Sequence, residues 1–355
     1  MEDLLNGGLI LGCGGGGELQ AGKAVIEEVF RNGKDFCLID LDEIDGEGIY
    51  CLISYVGGGI SEEEEDLVKD LKRTIEHPIL KAAQELSRYL GKKFSGYYPS
   101  EIGAGNTIAA MFVAAMEGKP TIDGDTAGGR SKPETAISTT HVAGIQPYPV
   151  AIVNAFGEVV LIKRCIDDYR VETLSRYVSR VSGGRCAAAR CAVKGKELRD
   201  GIYSDSISLA IGAGRVIRTA KGDPVSELIR FLNGKELFLG TVVDFVQEKK
   251  QGFNWGTISL SGFQNYKGMN YKVWYKNEHL VAWKNNEVHI TCPDCIIIVD
   301  AESGKGLYNK TDDFHKGRKV AVIGRGAGDI WRTEKGLEIF GPGHFGFDLP
   351  YKPFT

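Results

Sequence analysis

Apolar and polar positions divide the chain into two textures. In the first, short apolar runs alternate with stretches of helical period. Leu9-Ile10-Leu11 reads as a strand, the glycine run from Gly12 to Gly17 as the loop after it, and Leu19 to Phe30, closed by Asn32-Gly33, as a helix. Phe36 to Leu41 is the next apolar run. The opening is therefore expected to be strand, glycine loop, helix, strand, a βαβ unit with a right-handed crossover if its strands are parallel. Ser61 ahead of Glu62-Glu63-Glu64-Glu65 is a helix N-cap followed by acids that suit the positive end of the dipole. Helices are predicted from Ile79 to Leu90, stopped by Gly91, and from Ile108 to Met116, opened by Gly105-Asn106 and stopped by Gly118. Val150 to Asn154 and Val159 to Lys163 read as a hairpin turning at Gly157-Glu158. Helical patterns recur near Val171–Val181 and Ser206–Arg218.

From Lys235 onward the texture changes to short β-rich runs between Gly and Asn turns: Phe238–Phe245, Thr257–Leu260, Tyr271–Tyr275, His279–Ala282, Cys295–Val299 and Lys319–Ile323. The pattern predicts an α/β N-terminal domain carrying the glycine-loop βαβ unit and a mainly β C-terminal domain. The boundary is placed near residue 165, giving 1–165 and 166–355, the second part opening with a helical bridge. A length of 355 residues suits two cores.

Composition narrows the classes of function. Lys+Arg 43 against Asp+Glu 47 leaves a formal charge of -4, no field for a polyanion, so nucleic acid is not an expected partner. No apolar stretch approaches the length of a membrane span, and the N-terminus lacks the basic flank and apolar core of a signal peptide. Eight cysteines scattered through apolar contexts read as reduced thiols in a cytoplasmic protein. The 47 glycines fall in clusters, which mark tight turns and close backbone approaches.

Several motifs invite chemistry. Gly12-x-Gly14-x-x-Gly17 with Asp40 ending the following strand fits a dinucleotide fingerprint, so a nucleotide-dependent (NAD or ATP) enzyme is one alternative. The bland reading is a glycine loop that packs against another backbone. Cys292-Pro-Asp-Cys295 is half a zinc pattern with no second pair nearby, and reads as structural. The densest constellation is Asp123, Asp125, Arg130 and Glu134, on a glycine-rich loop directly after an apolar run. Like charges gathered at a strand's end call for a metal, a shared proton or an arginine clamp. Asn106 with Gly105, at a helix start, and His141, seven residues after Glu134, are expected beside it.

These same residues carry a resemblance. Gly12-Cys-Gly-Gly-Gly-Gly17, Gly105-Asn106, Asp123-Gly-Asp-Thr-Ala-Gly-Gly-Arg130-Ser-Lys-Pro-Glu134, Asn277-Glu278-His-Leu-Val-Ala, Pro293-Asp294, Trp331-Arg-Thr and Gly341-Pro-Gly-His-Phe-Gly346 occur in order along nearly the whole chain. In these the chain resembles the S-methyl-thiohydantoin desulfurase family, also known as domain of unknown function 917 and found beside hydantoinase/oxoprolinase proteins. It departs from the family's usual pattern at Thr126–Gly129 and at Gly343.

The resemblance implies hydrolytic chemistry on a small cyclic amide or thioamide: water attacks the ring carbon bearing sulfur, helped by carboxylates and an arginine. On that reading Asp123 or Asp125 is the base, with or without a divalent metal holding the water. Arg130 and the Gly105-Asn106 helix start stabilise negative charge, and Glu134 orients Arg130 or His141. Gly14, Gly15 and Gly16 wall the cleft. A homo-oligomer is expected, with hydantoinase/oxoprolinase-type proteins as associates. A non-catalytic subunit of a hydantoinase-like complex is the other alternative.

Overall fold

The computed structural model describes residues 1–354, which form two seven-stranded sheets, a two-stranded sheet of Gly124–Asp125 with Tyr203–Ser204, and the helices packed around them. The first sheet has seven strands in the order Leu38–Ile39, Thr121–Ile122, Gly96–Pro99, Ile49–Gly57, Arg185–Lys194, Val150–Val153, Val159–Ile162. The first four are parallel and the last three antiparallel, so the sheet is mixed. Ile49–Gly57 is central, and six of its nine residues are buried, as its nearly unbroken apolar sequence requires. Helix Pro78–Leu90, with proline in its first turn and left-handed Gly91 at its end, packs on this sheet. Helix Asn106–Glu117 is apolar on most of its circumference, and nine of its twelve residues are buried.

The second sheet is antiparallel throughout, in the order Glu287–Thr291, Glu278–Lys284, Asn270–Lys276, Phe253–Gly262, Lys235–Lys250, Lys319–Arg325, Cys295–Asp300. The α/β and mainly β halves are thus as the texture predicts. Residue 165 lies in the turn between Val159–Ile162 and helix Asp168–Arg180, yet the first sheet also takes strand Arg185–Lys194 from beyond that point.

One element differs from its reading. Leu9–Leu11 ends a helix, Glu2–Leu11, so no strand precedes the glycine run and the loop joins two helices. The cause is tertiary. A Cβ on Gly7 would stand 1.7 Å from the carbonyl oxygen of Ala210, and one on Gly214 1.9 Å from that of Asp3. Helices Glu2–Leu11 and Ser206–Thr219 therefore meet backbone to backbone, and the glycines that weaken helix propensity are what permit the packing. The core around them includes Leu4, Ile10 and Ile207 from the helices and Ile297, Val299 and Ile323 from the second sheet. The parallel crossovers lie instead from Ile49–Gly57 to Gly96–Pro99 and from there to Thr121–Ile122.

All eight cysteines are unpaired thiols. Among the described residues no helix is long and apolar enough to cross a membrane.

Candidate active site

The carboxyl ends of the parallel strands open onto a cavity of about 430 Å³, within the ordinary size of small-ligand sites. Gly96–Pro99 runs into Ser100-Glu101, and Ile49–Gly57 into Gly58; both stretches line the cavity. The glycine loop Gly14–Gly17 forms one wall, Lys132–Thr135 another, and Asn277-Glu278 with Tyr308-Asn309 bring the second sheet to it.

The glycine loop is a fitted wall. A Cβ on Gly15 would lie 1.9 Å from Glu278 Oε1, and one on Gly14 would meet the Asn309 amide at 2.4 Å. The Gly16 carbonyl accepts from the backbone N–H groups of Gly105 and Asn106 at 3.0 and 3.1 Å. Those two amides are therefore occupied, and the helix start is not free to hold an anion.

Two buried glutamates face this cavity from different domains. Glu101 accepts from the Asn106 side-chain amide and, at 2.9 Å, from the backbone N–H of Lys132. Glu278 is 2% exposed; its Oε1 accepts from Ser131 Oγ at 2.8 Å, and its Oε2 has no hydrogen-bond partner. Burial pushes the Glu278 carboxyl up to about 8, and the charge of Glu101 adds to the rise. Burial also raises Glu101, but the Lys132 charge, the Lys132 amide and Asn106 pull against it. The neighbours favour the charged form more at Glu101 than at Glu278. Lys132 is itself buried. Its ammonium has one long contact, 3.4 Å to Thr126 Oγ1, and burial with the nearby Arg190 lowers it to about 8.

The Asp123, Asp125 and Arg130 side chains of the acidic loop are held by contacts outside the cavity. Asp123 Oδ1 accepts from the backbone N–H of Ile207 and Ser208 at 2.9 and 3.1 Å, holding the start of helix Ser206–Thr219. Asp125 Oδ1 accepts from Gly128 and Gly129 at 3.2 and 3.0 Å and closes its own loop; burial lifts this carboxyl to about 7. Arg130, 1% exposed, donates to the carbonyls of Ser131, Pro293, Asp294 and His279 at 2.9, 2.7, 2.9 and 3.3 Å. Phe340 covers its face at 4.9 Å. Trp331 Nε1 donates to Ala127 O at 2.9 Å. None of Asp123, Asp125 and Arg130 lines the cavity. Asp123 and Arg130 are matched to backbone groups of the second half of the chain, and Asp125 to its own loop, with its Oδ2 left without a hydrogen-bond partner.

Of the other expected residues, Gly14, Gly15, Gly16, Gly105, Asn106 and Glu134 do line the cavity. Glu134 pairs with Lys276 and with His344 Nε2 at 3.1 Å, not with Arg130 or His141. Burial works to raise Glu134, but His344 and Lys276 outweigh it and hold the carboxyl down at about 2. His141 is away from the cavity. Its Nδ1 lies 2.9 Å from Ala136 O and its Nε2 3.9 Å from Asp168. Asp40, the acid of the nucleotide fingerprint, caps a short turn through Glu43 and is exposed. With no strand before the glycine loop, the fingerprint lacks its structural context. Among the described residues no cluster of three or more His, Cys, Asp or Glu side chains is arranged to hold a metal ion.

Sequence reading missed Glu101, Ser131, Lys132, Glu278 and Asn309 as site residues. Ser131, Lys132 and Glu278 stand inside the quoted motifs, so the signal was present. What hid it was that charge density drew attention to Asp123 and Asp125. Glu101 carries no local mark beyond its place two residues before Gly103.

Fold and cavity together define a protein with a concave site lined by residues of both its α/β half and its β half. Residues 1–164 match the S-Me-THD-like N-terminal domain and residues 166–354 the S-Me-THD-like C-terminal domain. The chain belongs to the S-Me-THD-like family, related to S-methyl-thiohydantoin desulfurase, over essentially its full length. It also superposes on the crystal structure of a protein from Chromobacterium violaceum with a TM-score of 0.82 at 22% identity, over 100% of this chain and 98% of that one. At that identity the likeness speaks for the fold alone. No curated protein matches the chain.

Proposed function

We propose that the chain is an enzyme that hydrolyses a small cyclic amide or thioamide, of which an S-methyl thiohydantoin is the representative, using Glu101 and Glu278 as base and acid. The observation that carries this is the pair itself: two buried carboxyls from separate domains at one cavity, with the pKa of Glu278 pushed to about 8.

Glu101, ionised, takes a proton from water as the oxygen adds to the ring carbon bearing the methylthio group. The Lys132 charge opposes the effect of burial on Glu101 and favours its ionised form. Negative charge built on the adduct faces the Lys132 ammonium and the Asn309 amide. Glu278, protonated, gives its proton to the departing sulfur as the C–S bond breaks. Methanethiol leaves, the proton still on the added oxygen passes to the ring nitrogen as the carbon becomes a carbonyl, and the proton taken by Glu101 returns to Glu278 to restore the pair. Ser131, hydrogen-bonded to Glu278, fixes the orientation of the acid.

The reading is tested by incubating the purified protein with an S-methyl thiohydantoin and following free thiol and hydantoin. Equal amounts of the two products, lost in Glu278→Gln and kept in Asp125→Asn, are expected. No thiol release by folded wild type from any of a set of ring-substituted analogues, or release that depends on Asp125 and ignores Glu278, would overturn it.

A further inference from the structure

Strand Val159–Ile162 forms one edge of the first sheet, paired on a single side with Val150–Val153. The hairpin fixes which backbone groups it leaves over. Asn154 N donates to Glu158 O, so Glu158, Val160 and Ile162 direct their N–H and C=O groups to the inner neighbour. Val159 and Leu161 direct theirs outward, along an edge with no strand beside it. An exposed edge usually carries charge or a proline to discourage pairing. This one carries Val159, Val160 and Leu161 at 45%, 38% and 40% exposure, and Ile166 beyond its end is 87% exposed.

We propose that two copies of this chain pair along this edge in an antiparallel, two-fold arrangement, with Leu161 of one copy opposite Leu161 of the other. The backbone permits few registers. Outward-facing residues must oppose outward-facing residues, so the paired residue numbers sum to an even value. Centring on Leu161 sets Val159 against Lys163, Val160 against Ile162, and Glu158 against Arg164. That register places an acid against a base at both ends of the pair while burying the apolar centre. Centring on Val160 would instead set Glu158 against Ile162. The charge pattern therefore selects both the partner, a second copy, and the register. The two seven-stranded sheets become one continuous sheet. None of Val159, Val160, Leu161 and Ile162 lines the cavity, so the pairing is independent of the catalytic reading.

Two measurements test it, in a Cys37→Ser, Cys165→Ser background that removes the exposed and half-exposed thiols. Leu161→Cys should cross-link to a covalent dimer under mild oxidation, because directly opposed hydrogen-bonded residues stand about 5.5 Å apart between Cα atoms. Val160→Cys, which faces Ile162 across the axis, should cross-link far less. In sedimentation equilibrium the wild type should be a dimer. Leu161→Lys, which sets two like charges against each other at the centre, should raise the dissociation constant at least about 100-fold. Circular dichroism of the same sample checks that the variant is folded. A wild type that stays monomeric up to about 100 µM overturns the proposal. So does a dimer indifferent to Leu161→Lys, or one in which Val160→Cys cross-links as readily as Leu161→Cys.

Discussion

Replacing Arg130 by methionine separates a structural role from a catalytic one. The guanidinium is buried and donates to four carbonyl oxygens, three of them on the second domain, at 2.7, 2.9 and 3.3 Å. Methionine keeps much of the apolar stem and the contact with Phe340 but leaves those carbonyls without their donor. At about 1 kcal/mol for each orphaned acceptor, the loss is about 3–4 kcal/mol. That is a large part of the roughly 5–15 kcal/mol that holds a typical domain. Urea unfolding followed by tryptophan fluorescence reads it as a lower midpoint. Trp331, whose indole donates to Ala127 on the same loop, reports locally. A loss under about 1 kcal/mol, together with abolished turnover, would refute the reasoning and return Arg130 to the role of an anion clamp in the cavity.

Further outcomes follow from the same contacts. Glu134, held at about 2 in the folded chain against an ordinary 4.5, adds stability that is complete above 4.5 and lost as pH falls toward 2. Thermal unfolding between pH 7 and pH 3 should show Glu134→Gln losing less stability on acidification than wild type. Gly128 sits at φ +89, with Trp331 Nε1 2.7 Å from where a Cβ would be, so Gly128→Ala should cost about 1–3 kcal/mol in denaturant titration. Gly15→Ala, whose new methyl would displace the Glu278 carboxylate, should cut turnover roughly 100-fold or more while the melting temperature changes little. If stability collapses with activity, the loop is scaffold and nothing more. Asp125→Asn keeps an oxygen for the Gly128 and Gly129 amides and should turn over substrate within roughly tenfold of wild type.

Much of the fold could be read from periodicity, and the exceptions share a physical cause. Helix Pro78–Leu90 and the second-domain strands announce themselves through caps, period and turns. Arg185–Lys194 does not, because Ala187-Ala188-Ala189 favours helix by propensity. Those alanines are fully buried, and their small side chains suit a strand packed on both faces. Helix Glu2–Leu11 was hidden for the opposite reason, since its glycines serve a contact with a helix two hundred residues away. The same distinction governs the site. Sequence gathers Asp123, Asp125 and Arg130 within a few residues, but folding assigns Asp123 and Arg130 to the backbone of distant elements and Asp125 to its own loop. The pair that meets at the cavity, Glu101 and Glu278, is brought together only by the two domains, which no local pattern records. The motif still pointed to the right place, because Lys132 and Glu134 at its end line the cavity and Ser131 hydrogen-bonds Glu278.

The pH dependence of methanethiol release from an S-methyl thiohydantoin, measured on wild type and Glu278→Gln, bears most directly on the acid–base pair. Turnover by the wild type should fall as pH rises through about 8, where Glu278 loses the proton it must donate. Glu278→Gln should be slower by about 100- to 10,000-fold at neutral pH and should lack that falling limb. Wild-type turnover in the variant, or the same limb near 8 in both proteins, would contradict the account.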